Sequence, residues 1–266
     1  MPNRFNVQPE AVLLYHPWNG RFPLQTDIEQ VEFTSPDGQR VTRPAFRHQP
    51  AVFSYYVHGY ENVAPAGEVV LQVRFTPEQP GVYHYRAMRG EETIAEGRFE
   101  CVPSDHPGFV QVSRRDSRYF AYSNGSSYCP IGLNMVEVPM YPRPESGRHF
   151  LTTDELDTLG VREYRRWFRL LSQNGGNYIR LFLGNPYLQM ETEVAGEMNL
   201  LGFARLDAIV EAARQYGIRI MMCFDHFRTF DPSQPKWMVK VLRHPQTGQS
   251  PRDIADWLSV LSTLIW

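Results

Sequence analysis

The sequence predicts a multidomain protein, in which an all-β domain of the immunoglobulin-like sandwich type is followed by an α/β domain. Two observations support this division. Up to about residue 103, short aromatic and β-branched runs are separated by turn residues, whereas from about residue 128 apolar strands alternate with helical patterns. Such alternation is typical of parallel βαβ units. The segment CVPSDHPGF, with two prolines and a glycine, is the predicted junction, and the predicted domains are 1–105 and 106–266.

The first domain has the alternating pattern of a sheet with one face on a core. Apolar residues occupy every second position of VVLQVRF, and a Pro-Gly pair separates this run from the next one. In VEFTSPDGQRV, the residues Pro36, Asp37 and Gly38 form a turn signal between two runs. The pattern favours an immunoglobulin-like sandwich of roughly 100 residues.

The second domain begins with a hairpin signal at Asn124-Gly125 and then changes to helical spacing. TTDELDTLGVREYRRWFRLLSQNGG predicts a helix that starts at its first Thr or Asp residues and stops at Gly175-Gly176. A second helix is predicted in FARLDAIVEAARQYG, which ends at Gly217. The order from about residue 128 is strand, helix, strand, helix, strand, and it predicts parallel strands.

Arg180 lies in the middle of the predicted buried strand NYIRLFL. Because strand side chains alternate, Tyr178 and Phe182 share its face, and Ile179 and Leu181 lie on the other. In a closed TIM or (β/α)8 barrel, one strand face meets the helices and the other points into the barrel, near an active site at the carboxyl ends of the strands. The apolar face suits the helices, so Arg180 is expected to point inward.

An inward arginine needs a counter-charge, because an isolated buried charge costs several kcal/mol. Asp225, at the end of the next strand, is a candidate partner, and His226 follows it where functional groups collect. A structural ion pair for Arg180 and an ordinary hydrogen-bonded His226 explain the same pattern equally well.

The segments GFVQVSRRDSRYFAYSNGSSYCPIGLNM, NGGNYIRLFL and FDHF closely resemble clan A glycoside hydrolases that carry an immunoglobulin-like domain of unknown function before the barrel. The resemblance covers nearly the whole chain. It implies that the first barrel strand begins with the phrase that Pro130 to Asn134 match, that Arg180 lies beneath the catalytic nucleophile, and that His226 lines the sugar subsite beside the scissile bond. The predicted saccharide-binding set is Asn134, Arg180, Asp225, His226 and Trp237; Trp237 would stack on a sugar, although a packed loop tryptophan explains it as well.

The same resemblance implies a retaining mechanism for full-length relatives, in which O-glycosyl bonds are hydrolysed by two carboxylates about 5 Å apart. The family supplies them as glutamates on the fourth and seventh strands, and the fourth-strand glutamate usually follows an asparagine. No Asn-Glu pair follows the third predicted strand here, and the chain after residue 128 is far shorter than the roughly 250 residues of a complete barrel. We therefore expect a truncated barrel, no catalytic residue and no turnover by this chain.

Two alternatives to a truncated hydrolase remain open. One is a non-catalytic module that binds carbohydrate or protein, for which exposed aromatic side chains among Tyr55, Tyr56 and Tyr60 would be evidence. The other is a fragment without function. An incomplete barrel would also leave open sheet edges, so self-association through the barrel is expected.

Composition restricts the remaining function classes. The 27 basic and 29 acidic residues give a net charge of −2 without long runs of one sign, which argues against nucleic-acid binding. No leader and no apolar window of 18 residues is evident, so no membrane association is expected, and the chain as written is expected to be cytoplasmic, or secreted if its true start lies upstream. Three well-separated cysteines and the histidine spacing suggest neither a disulfide framework nor a metal site. No cofactor is expected, and the predicted ligand is an oligo- or polysaccharide.

Overall fold

The computed structural model describes residues 11–135, 138–142, 156–183, 185, 187, 188, 190 and 198–223 of the chain. The strands, in chain order, are β1 (Ala11–Leu13), β2 (Trp18–Pro23), β3 (Gln30–Thr34), β4 (Arg40–Pro44), β5 (Phe46–His48), β6 (Ala51–Tyr55), β7 (Glu61–Pro65), β8 (Val70–Phe75), β9 (Gly81–Arg89), β10 (Glu92–Val102), β11 (Val110–Val112), β12 (Phe120–Tyr122), β13 (Ser127–Tyr128), β14 (Gly132–Asn134), β15 (Met140–Pro142), β16 (Leu156–Thr158), β17 (Tyr178–Phe182) and β18 (Arg219–Cys223). The helices are α1 (Gly160–Gln173), α2 (Leu200–Gln215) and a short 3-10 helix (Leu24–Thr26).

The described part of the chain consists mostly of β-strands, and it forms two compact units. The fold is therefore β-rich and multidomain. Described residues 11–48 and 69–129 belong to the first unit, and residues 49–68 with the described residues from 130 to 223 belong to the second. The predicted division into residues 1–105 and 106–266 stays a prediction. The β6–β7 hairpin is part of the second unit, where β7 contacts α1 and α2. Independent folding of residues 1–105 stays a prediction.

The first unit has a core between two sheets. One sheet has the strand order β1-β10-β9-β3-β4 and the other β2-β8-β5, and buried residues of both belong to one apolar cluster. Trp18 of β2 packs edge-on against Phe33 of β3 at 5.2 Å, and Phe33 stacks on Phe75 of β8 at 4.2 Å between ring centroids. The apolar alternation of β8 therefore fills the core, as its pattern predicted.

Two predicted turns of the first unit are confirmed. Antiparallel β3 and β4 flank Pro36, Asp37 and Gly38, and Gly38 has a φ of +83°. Antiparallel β12 and β13 flank Asn124-Gly125, where Gly125 has a φ of +86° and donates to the Tyr122 carbonyl at 2.8 Å. Both glycines adopt the left-handed conformation that a tight turn requires at this position.

The second unit contains a parallel sheet with the order β14-β17-β18. Both pairs are parallel, and α1 and α2 lie in the chain between successive strands, in the predicted order. Ile179 and Leu181 of β17 are fully buried. Tyr164 and Phe168 of α1 are buried as well. The apolar face of β17 is thus the covered face, as the alternation predicted.

The predicted start of the first helix is wrong. Leu156–Thr158 forms a strand that pairs antiparallel with Met140–Pro142, and α1 begins only at Gly160. Gly160 has a φ of +55°, and its amide donates to the Thr158 hydroxyl at 3.1 Å. The left-handed residue separates strand from helix, because a regular helix cannot continue through it.

Among the described residues, no helix is long and apolar enough to cross a membrane. In the same part of the chain, no group of three or more His, Cys, Asp or Glu side chains is placed to hold a metal ion.

We expect Cys101 to resist alkylation in the folded protein. Burial raises the pKa of its thiol to about 11, so at pH 8 only about 0.1% of it is thiolate. Cys129 is exposed and serves as the internal control. In a pulse of iodoacetamide at pH 8, peptide mapping should find Cys129 modified and Cys101 intact until the chain is denatured. Similar labelling rates for the two thiols would contradict a buried Cys101.

Candidate functional site

Asn134 and Arg180, two of the five predicted site residues, lie side by side in the parallel sheet. Asn134 of β14 is in register with Arg180 of β17, which is in register with Met221 of β18. Residues in register on neighbouring strands point to the same face of a sheet. Asn134 is exposed and Arg180 is half-buried, so this face presents an amide and a guanidinium. The other predicted residues, Asp225, His226 and Trp237, lie outside the described residues.

Arg180 is held by a thiol and an aromatic ring. Its Nε donates to Cys223 Sγ at 3.0 Å, and its guanidinium carbon lies 4.6 Å from the centroid of the Phe182 ring. A cation over a ring face is attracted by the ring quadrupole. Among the described residues Arg180 forms no salt bridge, and the predicted partner Asp225 stays a prediction. The side chain is oriented without a carboxylate in this part of the sheet.

The chemistry of this face is that of hydrogen-bond donation. Asn134 offers donors and an acceptor, and the Arg180 guanidinium offers donors only. Within their bounds, β14, β17 and β18 carry no Asp or Glu. The described part of the face can therefore bind polar groups, but it lacks the two carboxylates that glycoside hydrolysis requires.

A second polar and aromatic surface lies at the tip of the β6–β7 hairpin. Four rings follow one another there: Tyr56 to His58 at 5.4 Å, His58 to Tyr60 at 4.5 Å, and Tyr60 to Tyr141 at 6.0 Å between centroids. We call these four residues the aromatic strip. Tyr56 and Tyr141 are each 48% exposed, and His58 is exposed as well. Exposed aromatic rings with polar edges are suited to binding a partner that is apolar on one face and polar at its rim.

The turn that carries the strip is set by its backbone. The Tyr56 amide donates to the Tyr60 carbonyl at 2.9 Å, and the Gly59 amide donates to the Tyr56 carbonyl at 2.8 Å. Gly59 has a φ of +90°, which a side chain would disfavour. The sequence named Tyr55, Tyr56 and Tyr60 as residues to inspect; His58 and Tyr141 were missed, although the density of rings in SYYVHGY was a visible signal.

Glu61, directly after the strip, anchors the hairpin to α1. Its Oε2 accepts the Val161 amide at 2.7 Å, and its Oε1 accepts the Tyr187 hydroxyl at 2.8 Å. The carboxylate lies at the N-terminal end of α1, where free amides and the helix dipole favour a negative charge. A Cβ added at Gly160 would collide with this carboxylate. Glycine is therefore required at this position for a second reason, besides its φ.

The Glu61 carboxylate also has a counter-charge. Arg205 Nε of α2 lies 3.5 Å from Oε1, and the Glu61 and Arg205 side chains are 1% and 15% exposed. The distance gives an ion pair rather than a hydrogen bond for Nε. Burial, followed by the charge of Glu61, holds the pKa of Tyr187 well above its usual range, so Tyr187 stays protonated and donates. Sequence reasoning missed Glu61, because one acidic residue in a polar turn gives no signal of burial.

Comparison with solved structures finds a shared fold. A crystal structure of a "putative glycoside hydrolase" from Bacteroides vulgatus ATCC 8482 matches with a TM-score of 0.58 and 15% sequence identity, over 96% of this chain and 47% of that chain. The chain thus spans about half the length of this structure. At this identity the likeness shows a shared fold alone. No protein-family model matches the sequence, and no curated protein matches it either.

A second structure, a family 39 glycoside hydrolase from the gut symbiont Bacteroides cellulosilyticus WH2, matches with 14% identity over 80% of this chain and 32% of that chain. Its TM-score of 0.20 is too low to bear on the fold.

We expect Glu61→Gln to lower the free energy of unfolding by about 3–5 kcal/mol, because removing one partner of a buried pair leaves Arg205 without its counter-charge. Glu68→Gln is the matched control: Glu68 is exposed in the same segment, and its change should stay within about 0.5 kcal/mol. Urea unfolding followed by circular dichroism measures both. Equal effects of the two substitutions would contradict the anchoring role of Glu61.

Proposed function

We propose that this chain binds an oligo- or polysaccharide and is built on the plan of a glycoside hydrolase. In this proposal the first unit is an immunoglobulin-like sandwich, and the parallel sheet with α1 and α2 is the first part of a (β/α)8 barrel. The observation that carries the proposal is the juxtaposition of Asn134 and Arg180, which are in register on one face of β14 and β17. The shared fold with a solved structure of that description supports it.

Asn134 and Arg180 suit a saccharide because sugar hydroxyls both donate and accept. The Asn134 amide can do the same, and the Arg180 guanidinium donates in a fixed plane. The Phe182 ring and Cys223 thiol orient the guanidinium, so less conformational entropy is lost on binding. Asp225, His226 and Trp237 extend this site in the proposal, His226 beside the scissile bond and Trp237 as a stacking platform.

Hydrolysis requires groups that the described sheet face does not supply. In the retaining mechanism one carboxyl protonates the leaving oxygen and a second attacks the anomeric carbon. Strands β14, β17 and β18 carry neither an aspartate nor a glutamate within their bounds. We therefore assign binding, and not catalysis, to this chain by itself.

We expect the purified 266-residue chain to release no aglycone from a panel of aryl glycosides above the buffer rate. The reason is that the described sheet face supplies no pair of carboxylates. Release is measured by absorbance of the free phenol, with a known retaining glycosidase as the positive control. Turnover that survives purification to homogeneity and vanishes in Asp225→Asn would place the catalytic site at the end of β18 and contradict the assignment.

The open edge of the parallel sheet supports self-association as part of the proposal. Among the described strands, β14 lies at one edge of this sheet. Ile131 and Leu133, before and in β14, are 56% and 58% exposed. An exposed apolar edge can pair with another chain.

A non-catalytic carbohydrate-binding module is the second candidate function, and the aromatic strip favours it. Sugar rings have apolar faces and polar rims, as the tyrosines do, so stacking of a sugar on Tyr56 or Tyr141 buries apolar surface on both sides. Under this second candidate function, the aromatic strip binds saccharide independently of the sheet face that carries Asn134 and Arg180.

We expect Tyr56→Ala to weaken binding of a neutral oligosaccharide by roughly 2- to 12-fold, which corresponds to about 0.5–1.5 kcal/mol for one aromatic contact. Isothermal titration with xylo-, cello- and mannohexaose measures the affinity. Tyr119→Ala is the matched control, since Tyr119 is 63% exposed in the first unit. If Tyr56→Ala and Tyr119→Ala leave the affinity of the best ligand equally unchanged, the strip does not bind saccharide.

A further inference from the structure

We propose that the saccharide bound at the aromatic strip is anionic, and that a row of arginines on α1 holds its carboxylate or sulfate groups. This inference rests on the proposed saccharide-binding function and adds the chemical class of the ligand. It is carried by the arrangement of charges along α1 and by the contact of α1 with the hairpin.

Four arginines share one face of α1. Arg162, Arg165, Arg166 and Arg169 are spaced i, i+3, i+4 and i+7, which places them on one side of a helix. We call them the arginine row, and all four are exposed. They line a cleft of about 590 Å³ together with Leu159, Glu163 and Tyr216. A helix rises about 1.5 Å per residue, so the row extends over roughly 10 Å.

The row carries more charge than its neighbours neutralise. Glu163 is the acidic residue that lines the cleft, and it accepts a hydrogen bond from Arg166 Nε at 2.9 Å. On α2, Glu211 is paired with Arg214 at 2.7 Å. Among the described residues, Arg162, Arg165 and Arg169 form no salt bridge. Arg162 acts on Glu163 and Arg165 acts on Glu211 through their charges only. The four guanidinium groups of the row therefore outnumber the described carboxylates beside them, and those carboxylates are already bonded to Arg166 and Arg214.

The hairpin lies at one end of the arginine row. The Arg162 guanidinium carbon is 5.4 Å from the centroid of the Tyr55 ring, and Tyr55 is followed by Tyr56 of the strip. At Gly59, in the turn of the strip, an added Cβ would lie 3.6 Å from Arg162 Nη1 and 3.8 Å from Leu159 Cδ2. Leu159 and Arg162 also line the cleft. A saccharide stacked on the strip therefore has the arginine row within reach of its next units.

This combination fits an anionic oligosaccharide better than other polyanions. The guanidinium fork matches carboxylate and sulfate oxygens with two parallel hydrogen bonds, and the rings of the strip provide faces for sugar rings. An acidic peptide would engage the arginines but would leave the strip without a planar partner. The chain has a net charge of −2 without a basic run elsewhere, which argues against a general nucleic-acid surface.

The test compares charged and neutral ligands on the full chain. The probes are hexagalacturonate, a chondroitin sulfate hexasaccharide, xylohexaose and hexaglutamate, and titration calorimetry is run in 50 mM and 500 mM salt. We expect at least one anionic saccharide to bind about tenfold more tightly than xylohexaose at low salt, with a smaller difference at high salt, because exposed charges are screened. The two anionic probes distinguish a carboxylate ligand from a sulfated one.

Paired variants assign the effect to the arginine row. Arg165→Gln combined with Arg169→Gln should weaken anionic saccharide binding about tenfold and leave xylohexaose binding unchanged. Arg47→Gln combined with Arg98→Gln is the matched control, since both are exposed in the first unit and the same charge is removed. Arg165→Lys with Arg169→Lys keeps the charge but removes the guanidinium fork, so its affinity should lie between that of the unchanged chain and that of the Gln pair. Melting curves verify that each variant is folded.

The outcomes separate this inference from the function on which it rests. If xylohexaose binds and the anionic saccharides bind no more tightly, the inference is wrong and saccharide binding stands. If no saccharide binds at all, both are wrong. Tighter binding of hexaglutamate than of either anionic saccharide, lost in the Gln pair, would make the cleft a peptide surface and also overturn the inference.

Discussion

The carboxylate of Glu61 accepts hydrogen bonds from the Val161 amide and the Tyr187 hydroxyl and forms an ion pair with Arg205, all inside the second unit. A carboxylate that is 1% exposed is tolerated only with such partners, because the desolvation of a charge costs several kcal/mol. Glu61 begins β7, directly after the turn of the hairpin. These contacts therefore connect the β6–β7 hairpin to α1, whose Val161 follows Glu61 by 100 residues in the sequence, and to α2, which lies further along the chain.

The two candidate ligand surfaces at the hairpin depend on this contact. Tyr60 of the aromatic strip directly precedes Glu61 in the chain. Arg162, the first residue of the arginine row, directly follows Val161, whose amide donates to Glu61. The hydrogen bond between Val161 and Glu61 thus joins the two residues that are next in sequence to the two surfaces. The face of Asn134 and Arg180 is positioned differently, by strand register, and Arg180 is oriented by a ring and a thiol.

Local patterns predicted much of the fold. The tight turn at Asn124-Gly125 and the covered side of β17 follow from residues close in sequence. Asn134 and Arg180 lie side by side because parallel strands bring their carboxyl ends to the same edge of the sheet. Contacts between distant residues were not predictable in this way. Leu156 fits a helical pattern, but its backbone pairs with β15. Glu61 is one of 29 acidic residues, and nothing in its neighbours shows that it is buried.

The spacing of the four arginines is helical in the sequence. Whether their charge is neutralised depends on which carboxylates lie beside them in the folded chain, and the sequence alone does not give those contacts. The exposed rings of the hairpin tip were expected as evidence for a binding module, and the structure adds their proximity to α1.

Native-state hydrogen exchange tests most directly whether the hairpin belongs to the second unit. Amide protection is measured at low urea concentrations for β6, β7, α1, β17 and the strands β8 and β9. The account predicts that the amides of residues 51–55 and 61–64 that bond across the hairpin lose protection together with those of α1 and β17, because Glu61 links them. Loss of protection together with β8 and β9, while α1 and β17 stay protected, would contradict it.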